Sequence, residues 1–183
     1  MDRTLVERAQ RGDRDAYEAL ARASASRLYR TAHRIVRDTD RAEDAVQQTL
    51  VTIWRELPSL RDPDRFESWT YRLVVRFCLI ESRRARRTGI REISLDELTP
   101  ASSDGIADAD LRDQLDRALR ELSPEHRAVV VLHHYAGLPL GEIAEILGVP
   151  YGTIGSRLHH ATRSLRAALE AGERSSIAEG RMA

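Results

Sequence analysis

The densest charge in the sequence is Arg83-Arg84-Ala85-Arg86-Arg87, four arginines in five residues. A guanidinium is a planar fork of donors that matches phosphates and guanine edges. The cluster therefore points to nucleic-acid contacts, although it would also suit a solvated helix end, where positive charge offsets the dipole. A second group of donors shares one face of a later stretch: Tyr151, Thr153, Ser156, Arg157, His160 and Arg163. The opposite face carries Ile154, Leu158, Ala161, Leu165 and Ala168, whose steps of four and three mark an inward-packing helix. Just upstream, Leu140–Leu147 reads as a short helix, followed by Gly148 and Val149-Pro150. Ala144 is small where two helices must cross, and Gly148 stands where a tight turn needs positive φ. This is the helix-turn-helix pattern, in which the second helix enters a DNA major groove N-terminus first. An ordinary helical hairpin shares part of it, since glycine between amphipathic helices is common.

Other tempting residues carry less. His133-His134 and His159-His160 have ligand chemistry, but neighbours on a helix point about 100° apart, so neither pair makes a single metal site. Cys78 is the only cysteine, which excludes an internal disulfide and argues against a cysteine-based zinc site. Its neighbours Phe77, Leu79 and Ile80 make it a buried structural residue. Trp54 and Trp69 read as core rather than as base-stacking platforms. No Gly-rich phosphate loop, nucleophile elbow or partnered carboxylate pair is present. The expectation is a binding protein with no catalytic residue, no cofactor and no metal.

The elements that must position these residues are helical. The 183 residues are 42% hydrophobic and 32% charged, enough apolar content for a core and more charge than most soluble proteins carry. All 29 basic residues are arginine, a bias that a GC-rich genome would produce by itself. Residues 1–90 have a net charge of +5, residues 91–123 of −5, and residues 124–183 of zero. Two modules and a linker fit this distribution. Apolar periodicity predicts helices over about 14–37, over Ala42–Leu57 with Asp40 as N-cap and Glu43 completing a capping box, and from Phe66 into the arginine cluster. Pro58 ends the second of these, the segment Ser59–Arg65 is turn-rich, and Gly89 closes the third. Helices resume at Leu111. Ser123-Pro124 starts one that runs to about Tyr135 and stops at Gly137. The expected class is all-α: 1–88 and 111–171 as two small helical domains, 89–110 as a flexible linker and 172–183 as a frayed tail. No apolar run approaches the roughly 20 residues of a membrane helix, and no secretory signal opens the chain, so a cytoplasmic protein is expected.

The motifs then become recognisable. Leu122-Ser123-Pro124-Glu125-His126-Arg127-Ala128-Val129, Gly141–Pro150 and Gly152–His159 resemble domain four of extracytoplasmic-function sigma factors. Ala42–Leu50, Trp54-Arg55, and Phe66-Glu67-Ser68-Trp69 with Arg72 resemble sigma domain two. The resemblance covers roughly residues 5–170. It implies an RNA polymerase specificity subunit whose partners are core polymerase and promoter DNA, with an anti-sigma factor allowed for but not identified. By position, Asp44, Gln47 and Gln48 would face the polymerase. The turn Leu60–Arg65, with Arg61 and Arg65, would lie near the flipped base of the −10 element, and Arg76, Arg83, Arg84, Arg86 and Arg87 near promoter DNA. Tyr151, Thr153, Ser156, Arg157 and His160 would read the −35 element. The sequence departs from the family at Gly155 and His160, where basic residues are usual, at Phe77, where Asn is common, and at Gln48, which replaces a common Glu. These departures leave the DNA preference open.

Two other functions compete. A conventional helix-turn-helix regulator would bind an operator as a dimer, with residues 1–90 as sensor or dimerisation domain; it gives no reason for the arginine cluster there. A helical adaptor would sequester a protein partner without touching DNA. Co-purification with core polymerase separates both from the sigma reading.

Overall fold

The computed structural model describes residues 1–88 and 114–180. These residues are all-α, as the periodicity implied. The linker 89–110, Gly89 and Leu111 lie outside them.

The first unit has four helices: α1 (Arg3–Gln10), α2 (Arg14–Val36), α3 (Thr39–Glu56) and α4 (Phe66–Thr88). Aspartates start the first three. Asp2, Asp13 and Asp38 each accept a backbone N–H from the first turn, of Thr4, Ala16 and Arg41, at 2.9, 3.0 and 2.9 Å. The cap of α3 is thus Asp38, not Asp40; Asp40 already lies inside the first turn. Both aspartates fit a cap by type, and the extended backbone of Asp38 decides between them. At its far end α3 tightens into a 3-10 turn, Leu57–Ser59, at Pro58, and a second 3-10 turn, Pro63–Arg65, leads into α4. Leu20, Leu28, Ile35, Ile53, Phe66 and Val74 are almost fully buried between these helices.

The second unit has α5, described over 114–120, then α6 (Pro124–Val130), α7 (Leu140–Leu147) and α8 (Tyr151–Gly180). Ser123 caps α6, accepting from His126 N–H, with Pro124 at the first helical position. The continuation of α6, Val131–Tyr135, is wound as a π-helix, which periodicity alone did not suggest. Gly137 and Gly148 have φ of +72° and +64°, so the turn before α7 and the turn after it both use left-handed backbone. The last helix runs through the stretch expected to be a tail, as far as Gly180.

The two units are not separate bodies. α4 packs against α7 and α6, and α2 packs against α6 and the π-turn. One apolar cluster runs from Leu20, Ile35 and Phe66 through Ala128 and Leu132 to Ile143, Ile146 and Ile154. Around it lies a polar seam. Arg127, 1% exposed, donates from Nη1 to the Ile35 carbonyl at the end of α2 and from Nη2 to the Leu122 carbonyl, at 2.8 and 2.9 Å. Arg37 ends α2 in left-handed backbone, φ +59°, and donates to Asp116 Oδ1 at 2.7 Å. The Arg34 guanidinium lies 3.9 Å from the ring centre of Tyr135.

Candidate nucleic-acid interface

The helix-turn-helix forms as the sequence reading proposed. α7 ends at Gly148 and α8 begins directly after Pro150. Ile154 and Ala161 are fully buried, and Leu158 and Leu165 are partly covered by Leu119, Leu122 and Val130. The opposite face of α8 is open: Tyr151 is 62% exposed, and Ser156, His160 and Arg163 are exposed. Thr153 and Arg157 are half-buried. The Ser156 hydroxyl turns back to donate to the Thr153 carbonyl at 3.0 Å. Gly155 lies on the flank of this face, and a Cβ there would meet nothing within 4 Å. Its lost side chain is therefore an absent contact rather than a relieved clash.

A cleft opens between the 3-10 turns and α4, lined by Leu60, Arg61, Asp62, Arg65, Trp69 and Arg72. Asp62 caps the second turn by accepting the Asp64 N–H at 3.1 Å, which fixes the backbone beside Arg61 and Arg65. Trp69 is half-buried, tilted against Phe66 at 6.2 Å between ring centres, and forms one wall. The cleft is therefore aromatic on one side and cationic on the other, a combination suited to stacking a base beside its phosphates. Arg76 is exposed further along α4, its guanidinium 6.0 Å from the ring centre of Phe77.

The arginine cluster ends α4. Arg83, Arg84, Arg86 and Arg87 are exposed, while Ala85 between them is buried. Arg84 pairs with Glu81 at 2.8 Å, and Arg86 reaches Glu125 of α6 at 3.6 Å. Asp44, Gln47 and Gln48 stand together on the outer face of α3, all exposed. Beside them runs an apolar groove lined by Tyr17, Tyr29, Val46, Leu50, Val51 and Trp54. Trp54 is 44% exposed, its ring 4.7 Å from that of Tyr17. It is not the core residue the sequence suggested. The apolar stripe of α3 is wider than the surface the other helices cover, and Trp54 lies on its uncovered edge.

Cys78 is fully buried, and desolvation pushes its thiol pKa up, as a structural cysteine requires. Among the described residues no group of three His, Cys, Asp or Glu side chains could hold a metal, and no helix is long and apolar enough to cross a membrane. The sequence reading missed Glu142 and Glu145 on α7. Ser68 donates to Glu142 Oε1, and Arg65 Nη2 lies 2.8 Å from Glu145 Oε2. Their spacing in sequence carries no hint of these partners on the other unit.

Fold and surfaces define a helical DNA-binding protein built of two units, the second a helix-turn-helix. Comparison with known proteins narrows the class. Residues 20–88 match the family model for sigma-70 region 2 and residues 112–165 that for sigma-70 region 4. The ECF RNA polymerase sigma factor SigL of Mycobacterium tuberculosis is 36% identical over 163 residues, covering 83% of this chain and 88% of SigL. The ECF RNA polymerase sigma factor SigE of Mycolicibacterium smegmatis is 34% identical; 82% of this chain matches, and it spans 60% of SigE. The solved structure of CnrH, in complex with the cytosolic domain of CnrY, is similar over 93% of this chain and 97% of CnrH, with a TM-score of 0.66 and 26% identity. The chain belongs to the extracytoplasmic-function sigma factors, RNA polymerase subunits of transcription initiation.

Proposed function

We propose that residues 1–88 bind core polymerase and melt the −10 element, and that 111–171 read the −35 element. The observation that carries this division is the pairing of an arginine-and-tryptophan cleft on the first unit with an open helix-turn-helix face on the second. Asp44, Gln47 and Gln48 supply the polar part of the polymerase surface, and the neighbouring groove with Trp54 supplies its apolar part. Arg61 and Arg65 hold the flipped base region, Trp69 gives it an aromatic wall, and Arg76, Arg83, Arg84, Arg86 and Arg87 hold phosphates. Tyr151, Thr153, Ser156, Arg157 and His160 face the −35 groove. Melting costs unstacking energy, a few kcal/mol per base, and stacking and phosphate contacts in the cleft offset it. The protein acts in the cytoplasm and catalyses no reaction itself; the polymerase does the chemistry. CnrH is solved with the cytosolic domain of CnrY bound, which supports a further protein partner for this chain besides the polymerase; the partner we infer is an anti-sigma factor.

Run-off transcription with core polymerase, over the upstream regions of the source genome, tests the reading. Promoter-specific transcripts are expected only when this chain is added. Transcripts independent of it, paired with operator binding by a dimer of the free chain, would instead support the conventional regulator.

Arg157 offers a finer test. It is half-buried at the edge of the open face, one residue from the inward Leu158. Arg157→Ala should weaken −35 recognition by roughly 1–3 kcal/mol, the worth of a bidentate base contact, and leave polymerase binding intact. An equal loss on all sequences would make Arg157 a phosphate contact, and no loss would place a different face of α8 in the groove.

A further inference from the structure

α1 lines neither candidate DNA surface, yet it is tied to both ends of the loop that carries Arg61 and Arg65. It packs against α2 and against both 3-10 turns. Arg3, Val6 and Gln10 follow at i, i+3 and i+7, so they share one side of the helix. Val6 is fully buried in the core, and the polar side chains before and after it reach the segment Leu57–Arg65. Gln10 Nε2 donates to the Leu57 carbonyl at 3.1 Å and to the Leu60 carbonyl at 2.7 Å. At the other end of the loop, Arg3 Nη1 donates to Asp64 Oδ2 at 2.6 Å. A helix of 8 residues is too short to be stable alone, so α1 owes its form to this docking.

Gln10 acts where the backbone has little support of its own. The first 3-10 turn closes with the Leu60 N–H on the Leu57 carbonyl at 3.1 Å, and Leu60 then leaves it in extended backbone. Carbonyls at a helix end lack donors within the helix, and one side-chain amide here supplies a donor to each of two. The Leu60 carbonyl lies in the same rigid peptide plane as the Arg61 N–H. Fixing that oxygen therefore fixes the direction in which Arg61 leaves for the cleft. Beyond it, Asp62 closes the second turn on the Asp64 N–H, and Phe66 is buried. Arg61, Asp62, Asp64 and Arg65 are exposed. The rim of the cleft is thus held from behind, by Gln10 ahead of Arg61 and by Phe66 after Arg65.

We propose that Gln10 is a positioning residue for −10 recognition: it holds the Leu57 and Leu60 carbonyls so that Arg61 and the turn after it are set before an unstacked base arrives. The inference rests on the reading of the cleft as the −10 site. A loop ordered in advance loses no freedom on binding; left loose, it would have to be ordered by the base itself. Arg3 is the weaker tether. Its pair with Asp64 is exposed on both sides, and such pairs contribute little. The half-buried amide of Gln10 carries the effect.

The test uses the full chain with core polymerase, on a promoter from the run-off assay whose −10 region is randomised. Sequencing the transcripts gives the −10 preference, and a second template randomised at −35 gives the other. Gln10→Met keeps most of the volume and removes the donors. It should lower the ratio of the best to the median −10 sequence about tenfold, the worth of two hydrogen bonds. The −35 preference and the yield of holoenzyme should stay at wild type. Gln10→Glu keeps the length, also lacks the donors, and should act likewise. In the free chain of both variants, hydrogen exchange at the Leu60 and Arg65 amides should quicken about tenfold. Exchange at Val74 and Val75, buried in α4, should not change, which shows the fold intact. The control Arg8→Ala removes a pair with Asp13 at 2.7 Å, loosening α1 without touching the loop, and should leave the −10 preference as it was. An unchanged −10 preference in Gln10→Met, an equal loss at −35, or an equal loss in Arg8→Ala overturns the positioning role. Arg61→Ala with Arg65→Ala on the same template tests the cleft reading separately. Preference lost there but kept in Gln10→Met strikes the role of Gln10 alone; preference kept in both strikes the cleft reading as well.

Discussion

Replacing Arg83, Arg84, Arg86 and Arg87 together with alanine should flatten the salt dependence of promoter binding by roughly 2–3 units and suppress open-complex formation. Each phosphate contact contributes about 0.9 to the slope on duplex and about 0.7 on single strands, so about three lost contacts give that figure. The fold should survive. All four side chains are exposed and the residue that reaches the core is Ala85; alanine is also the best helix former. Promoter binding by the holoenzyme titrated against salt gives the slope, and permanganate footprinting reports melting at the −10 element. A normal slope with normal melting would make the cluster a solvated helix end, its charge serving the dipole of α4 alone.

Arg127→Ala should be strongly destabilising for the loss of a charged side chain, by about 3 kcal/mol. The side chain is 1% exposed and donates to the carbonyls of Ile35, Leu122 and Arg120. Truncation leaves buried carbonyls without a donor, at about 1–3 kcal/mol each, and opens a cavity that partial collapse only partly fills. For a chain of this size that lowers Tm by about 6–12 °C, at roughly 2–4 °C per kcal/mol. Calorimetry of the full chain measures it. Arg127→Met refills most of the volume without restoring the donors. A Met variant as stable as wild type would show that packing, not hydrogen bonding, is what Arg127 contributes.

The sequence was most legible where one short pattern determines local backbone. Ser123-Pro124 predicted the start of α6, and Gly148 the left-handed turn between α7 and α8, because few residue types meet those demands. The inward face of α8 followed from its four–three stepping. Legibility fell where two residues of the same type compete, as with Asp38 and Asp40, since type and spacing do not reveal which one is extended. It fell again at Trp54: periodicity shows that a stripe is apolar, but not whether neighbouring helices are wide enough to cover it. The residues of the candidate DNA surfaces were visible as donors on one face or in one cluster. Their partners Glu125, Glu142 and Glu145 were not, because charge pairing across the two units depends on docking, and docking leaves no period in the sequence. The same holds for Arg127, whose character as a surface cation gives no sign of its burial.

Trp54 and Trp69 are the only tryptophans, and they stand at the two surfaces of the first unit proposed above to meet the polymerase and the −10 element. Trp54 is wet, on the groove beside Asp44 and Gln47. Trp69 is half-buried and lines the cleft with Arg61, Arg65 and Arg72. Indole emission shifts to shorter wavelength as water leaves the ring, so the molecule carries two built-in optical reporters. On the proposed assignment, docking of the polymerase on α3 should shift the emission of Trp54 toward the blue, and a base stacking in the cleft should quench that of Trp69. With Trp54→Phe and Trp69→Phe to isolate each signal, stopped-flow fluorescence on otherwise unlabelled protein can time the order of the two events.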